Sequence, residues 1–122
     1  MPRILVLDDN VLISALLEEW LLELGCEVAG PVPLVADALR MIEDTSIDAA
    51  FLDLSVGDGD CMPVAAALEK QRVPFTFATG GGMDGIESRF PTAAVMTKPY
   101  DFQDVKSAIE RMLSAQSMRE RT

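Results

Sequence analysis

The chain has 122 residues, 49% of them hydrophobic, which suffices for one packed domain and excludes intrinsic disorder. With 20 acidic residues against 10 basic ones the formal net charge is −10, a surface that repels a phosphate backbone; no Lys/Arg cluster offers a local exception, so no nucleic-acid partner is expected. The apolar runs are short: MPRILVL meets Asp8 and Asp9, and no stretch approaches the roughly 20 residues that span a bilayer, so no membrane association and a cytoplasmic location are expected.

Ile4 to Leu7 is a continuous apolar run, as a central parallel strand buried on both faces requires. Asp9 and Asn10 are able to cap a helix, and Ile13, Leu16, Leu17, Trp20, Leu21 and Leu24 then recur at helical spacing until Gly25 ends the stripe. Cys26 to Val32 reads as a weaker strand, with Glu27 alternating and Pro31 near its end, features that suit a sheet edge. A second helix follows, with Leu34 or Val35, then Ala38, Met41 and Ile42 on one face.

Ala49 to Leu54 is the next buried strand and terminates in Asp53. SVGDGD reads as a loop in which Asp58 and Asp60 are solvated turn residues, and Pro63 opens a short helix through Val64, Ala67 and Leu68. Pro74 to Thr79 and Ala93 to Thr97 are the last two strands. Between them Gly80, Gly81, Gly82 and Gly85 each cost a helix about 1 kcal/mol relative to alanine, so a short or mobile helix bearing Met83, Ile86 and Phe90 is expected.

Asp101 caps a final amphipathic helix with Phe102, Val105, Ile109, Met112 and Leu113 inward, and the terminal MRERT, with Arg119 and Arg121, reads as a frayed tail. Cys26 and Cys61 lack CxxC spacing, the chain has no histidine, and both read as buried or half-buried thiols rather than a redox or zinc pair. Trp20 and the methionines read as core.

Alternating strands and helices imply an α/β fold with a parallel sheet covered on both faces. In such sheets ligands bind at the carboxyl ends of the strands. Here those ends carry Asp8 and Asp9, Asp53, Thr79 and Lys98. Packed carboxylates repel one another and need a cation or a proton for relief. Magnesium suits such a site, because it takes a few carboxylates and completes its shell with water and phosphate oxygens. One carboxylate is then placed as a nucleophile toward phosphorus, with Lys98 and Thr79 supplying charge and a donor for the transferred oxygens. Each residue alone has a plainer reading: Asp8 and Asp9 as helix caps, Asp53 and Thr79 as turn residues, Lys98 and Pro99 as a solvated loop or a cis-peptide turn.

LVLDD (Leu5 to Asp9), FLDL (Phe51 to Leu54), FATG (Phe77 to Gly80) and TKPY (Thr97 to Tyr100) together resemble the receiver domains of bacterial response regulators, in that family's order and spacing from end to end. The resemblance implies a flavodoxin-like (βα)₅ fold with strand order 2-1-3-4-5, a single receiver domain over residues 1–122 and no effector domain. It implies that Asp53 is the phosphoacceptor and that Asp8, Asp9 and Asp53 hold Mg²⁺ with the Ser55 backbone carbonyl. Thr79 and Lys98 would contact the phosphoryl group, with Pro99 structural. The implied function is a phosphoacceptor switch in a two-component phosphorelay, not an enzyme acting on an external substrate. The implied partners are a histidine kinase or a histidine phosphotransfer protein, and an unnamed downstream protein.

PFTFATGGG (Pro74 to Gly82) is further similar to the FATGUY subgroup of single-domain receivers, often paired with kinases of the HWE kind. Two positions depart from pattern: Val95 stands where typical receivers carry an aromatic switch residue three before the lysine, and Gly82 where the subgroup motif ends in an aromatic. Two other classes use related parts. A pseudo-receiver would keep the fold without phosphorylation, against which the complete acidic set counts. A phosphatase of the haloacid dehalogenase kind would want a second aspartate two residues after the nucleophile, where this chain has Ser55.

Overall fold

In a computed structural model of the chain, the residues described are 1–57, 59–80 and 94–121, with side chains described for 1–54, 56–57, 59–80 and 94–115. The elements in order are β1 (Arg3–Leu7), α1 (Val11–Glu23), β2 (Glu27–Val32), α2 (Val35–Asp44), β3 (Ala49–Asp53), β4 (Ser55–Val56), β5 (Gly59–Asp60), α3 (Met62–Lys70), β6 (Phe75–Thr79), β7 (Ala94–Thr97) and α4 (Phe102–Arg121). The five-stranded sheet has the order β2-β1-β3-β6-β7 with every pairing parallel. β4 and β5 are a separate antiparallel pair, so the main sheet alone follows the expected 2-1-3-4-5 order, and with the four helices among the described residues it forms the flavodoxin-like fold that was expected.

The apolar run of β1 is explained by its two covered faces. Leu5 and Leu7 pack with Ala38 and Ile42 of α2 and Val64 and Leu68 of α3. Ile4 and Val6 point the other way, into Leu17 and Leu21 of α1 and Val105 and Ile109 of α4. The period-2 alternation of side chains therefore buries every residue of the strand from Ile4 onward. Among the described residues Phe51 and Phe77 are the largest fully buried side chains, each contributing roughly 2–3 kcal/mol of apolar burial.

The ends of the elements follow the sequence signals. The Asn10 side chain accepts from Ile13 N–H at 3.1 Å and caps α1, and Gly25 leaves that helix with φ +81°. Asp101 and Asp104 close α4 reciprocally: Asp104 N–H donates to Asp101 Oδ1 at 2.9 Å, and Asp101 N–H donates to Asp104 Oδ2 at 3.0 Å. In β2 the register against β1 slips between Leu5↔Ala29 and Leu7↔Val32, one extra residue that forms a bulge at Gly30, whose φ is +100°. A Cβ at Gly30 would stand 2.7 Å from the Val32 nitrogen and 3.1 Å from the Val6 carbonyl, so only glycine fits.

Several expectations are corrected. Leu16, expected inward, is 44% exposed, because the buried face of α1 is narrower and centres on Ser14, Leu17 and Leu21. Met1 is exposed and not core. SVGDGD is not an open loop but carries the β4–β5 hairpin, in which Ser55 pairs with Asp60 and Val56 with Gly59. The backbone stays helical through Arg121, where fraying was expected from MRERT. The helix expected after Gly80, over residues 81–90, and the turn role of Asp58 lie outside the described residues.

Candidate functional site

Strand register assembles the site. Leu7 lies opposite Leu52, so Asp8, one residue beyond, comes abreast of Asp53 at the end of β3. Asp53 in turn pairs with Ala78, and Thr79 with Thr97, which brings Lys98 to the same rim. Two backbone bonds extend the ladder past the formal strand ends: Asp8 N–H donates to Val32 O at 3.0 Å, and Lys98 N–H donates to Thr79 O at 2.8 Å. The carboxylates and the lysine are thus held by the sheet rather than by loose loops.

Oxygen atoms of Asp8, Asp9 and Asp53 lie within 4.8 Å of one another. Asp8 is buried, Asp53 partly buried and Asp9 exposed. Asp8 Oδ1 accepts from Asn10 N–H at 2.8 Å, so the cap of α1 and the first acidic residue are one hydrogen-bonded unit. Lys98 Nζ stands 3.5 Å from Asp8 Oδ2 and 3.4 Å from Asp53 Oδ2.

Burial pushes the Asp53 carboxyl above its ordinary range; Lys98 pulls it back, and Asp8 and Asp9 push it up again. One ammonium against three carboxylates leaves the rim short of positive charge. That donor set, all hard oxygen and open on the Asp9 side, fits a divalent cation that keeps part of its water shell.

Of the residues singled out in the sequence, Asp8, Asp9, Asp53, Thr79 and Lys98 converge on this rim. Thr79 is buried at the end of β6, and Pro99 follows Lys98 through a cis peptide bond. The Ser55 backbone lies in β4, two residues past Asp53. Asp60 does not join the cluster: its carboxylate accepts from Met62 N–H at 3.0 Å at the start of α3. Cys26 and Cys61 are buried free thiols, and burial, with Asp60 second, pushes Cys61 up to about 12. Trp20 is half-buried and meets Tyr100 and Phe102 edge-on. The sequence reading did not single out Tyr100, whose phenol is pushed above its usual value by burial and then by the charges of Asp8 and Asp53. An aromatic with a hydroxyl two residues after Lys98 was the available signal.

The chain matches no protein-family model. It is similar to SdrG from Sphingomonas melonis Fr1, with 38% identity over 95% of this chain and 96% of that one and a TM-score of 0.76. A BeF3-activated conformation of SdrG gives 41% identity over 91% and 95% of the two chains, also with a TM-score of 0.76. A CheY-like response regulator receiver domain from Methanospirillum hungatei JF-1 shares the fold, with a TM-score of 0.85, 22% identity and 98% coverage of each chain. Protein-glutamate methylesterase/protein-glutamine glutaminase 2 of Caulobacter vibrioides is 33% identical over 67 residues, 55% of this chain and 18% of that protein's length. The chain belongs to the response regulator receiver domains of two-component signalling.

Proposed function

We propose that this receiver accepts a phosphoryl group on Asp53 and signals through protein contacts. The observation that carries the reading is the convergence of the Asp8, Asp9 and Asp53 carboxylates within 4.8 Å, with Lys98 Nζ bridging Asp8 and Asp53. An Asp53 oxygen attacks phosphorus, the P–N bond of a donor phosphohistidine breaks, and the imidazole departs, leaving an acyl phosphate on β3. Lys98 and Thr79 contact the new phosphoryl oxygens. Asp8, Asp9 and Asp53 hold Mg²⁺, with the Ser55 carbonyl as a further ligand; bound there, the ion supplies positive charge to carboxylate and phosphoryl oxygens.

The donor is a histidine kinase or a histidine phosphotransfer protein, and PFTFATGGG supports the FATGUY subgroup and a kinase of the HWE kind. The domain turns over no external substrate, and it works in the cytoplasm; among the described residues no helix is long and apolar enough to cross a membrane.

Incubation with acetyl phosphate and Mg²⁺ tests the reading. Stoichiometric phosphoprotein, lost in Asp53→Asn, is the expected result. No reaction would indicate a pseudo-receiver, and turnover of small phosphate esters would indicate a phosphatase.

A further inference from the structure

Tyr100 is the one tyrosine of the chain and stands two residues beyond Lys98. Its ring packs edge-on against Trp20 of α1, with centroids 6.5 Å apart, and Trp20 packs edge-on against Phe102 of α4 at 6.2 Å. The ring belongs to the core face that holds Ile4, Val6 and Phe51, so its position is set by packing. A phenylalanine would serve that packing equally. The hydroxyl is the anomaly: it is buried and has no hydrogen-bond partner among the described residues. A buried, unpaired hydroxyl is destabilising, and a folded protein that keeps one calls for an explanation.

The acidic rim provides it. The charges of Asp8 and Asp53 reach the phenol and, after burial, help keep it protonated, so it stays a donor. In the unphosphorylated site donors and acceptors are matched only loosely. Asp8 Oδ1 is taken by Asn10 N–H, while Asp8 Oδ2 and Asp53 Oδ2 share a single ammonium at 3.5 and 3.4 Å. A phosphoryl group on Asp53 adds about −1.5 to −2 of charge and three strong acceptor oxygens. Lys98 is drawn toward them, and its hold on Asp8 weakens. The rim then has more acceptors than donors, beside a donor that has no acceptor. Val95, three residues before Lys98, carries no hydroxyl and packs on the opposite face, against the α2 and α3 side.

We propose that Tyr100 is a positioning residue of the phosphoryl site, its buried and unpartnered hydroxyl donating to an oxygen of the Asp8–Asp53 cluster when Asp53 is phosphorylated. The inference rests on Asp53 being the phosphoacceptor. The switch consists of one hydrogen bond gained, with the ring held in place against Trp20. It links the chemistry at the end of β3 to the α1–α4 seam, where Trp20 and Phe102 lie.

With a single tyrosine, ultraviolet resonance Raman reads this hydroxyl directly through the tyrosine Fermi doublet, on the full chain with and without Mg²⁺ plus beryllofluoride. Bound-fluoride signals in ¹⁹F NMR report occupancy of the site independently. The expected result is a non-bonded phenol without beryllofluoride and a hydrogen-bond donor at saturation. Tyr100→Phe should then bind beryllofluoride about three- to ten-fold more weakly, the worth of one buried hydrogen bond, with an unchanged or raised unfolding midpoint in the absence of Mg²⁺. An unchanged doublet at full ¹⁹F occupancy, a phenol already bonded beforehand, or Tyr100→Phe binding as tightly as the parent overturns the inference and leaves the phosphoacceptor reading standing. Absence of any bound-fluoride signal in the parent overturns both.

Discussion

Lys98 Nζ lies 3.4 Å from Oδ2 of Asp53, on a lysine whose own backbone N–H is tied to Thr79 O at 2.8 Å. The positive charge that faces Asp53 is therefore carried by the edge strand next to the one that ends in Thr79. A change of charge on Asp53 pulls on β7 through a side chain and on β6 through a backbone bond.

The shortage of positive charge at the rim implies a metal-linked stability. Mg²⁺ at ten times its dissociation constant should stabilise the fold by about 1.4 kcal/mol, or roughly 5 °C in melting temperature for a domain of this size. Asp9 is exposed, so Asp9→Ala should fold normally yet lose most of that rise. Thermal melts across a Mg²⁺ series check this, and an equal rise in the variant would remove Asp9 from the ligand set.

Asp53 fixes the sign of a pH effect. Its folded-state value is raised, chiefly by burial, so the stability it contributes is fully present below the unfolded carboxylate value and is lost as pH climbs through the folded one. Without divalent cations, Asp53→Asn should be more stable than the parent near about pH 7, and the gap should close toward about pH 3. Denaturant unfolding at several pH values measures it. A variant less stable than the parent at neutral pH would show that the Lys98 pairing outweighs desolvation.

The start of α4 rests on the reciprocal bonds between Asp101 and Asp104, both exposed and neither a member of the Asp8–Asp9–Asp53 cluster. Asp101→Ala should cost about 1 kcal/mol, near 4 °C, while leaving phosphorylation by acetyl phosphate unchanged.

Two glycines with positive φ should respond differently. At Gly25 a Cβ meets nothing within 4 Å, so Gly25→Ala should cost only the left-handed backbone penalty of about 1–2 kcal/mol. At Gly30 the same penalty joins a clash with the Val32 nitrogen at 2.7 Å, and Gly30→Ala should lose about 2–5 kcal/mol. Urea midpoints of the two variants give the comparison.

The sheet and the charged residues that end its strands are readable from local residue patterns. β1 and β3 are legible because burial on both faces demands an unbroken apolar run, and Asp8 and Asp53 are legible because each is the first charge that breaks one. Helix ends at Asn10, Gly25 and Asp101 are written in local backbone chemistry, which needs no distant partner. Features that depend on residues far apart in the chain emerge only once the elements pack together. Leu16 has the spacing of a core residue, yet it faces outward because the width of the covered stripe is set by α4 and β2 as well as by α1. The requirement for glycine at the β2 bulge depends on the Val6 carbonyl of the neighbouring strand as well as on the local backbone. Lys98 bridges Asp8 and Asp53 because three strand registers bring it there, and the Tyr100 hydroxyl, without a partner among the described residues, belongs to a ring packed edge-on against Trp20 of a different element. Periodicity records which side of an element is apolar; it does not record which atoms from the rest of the chain arrive opposite, and hydrogen bonding and charge pairing depend on that arrival.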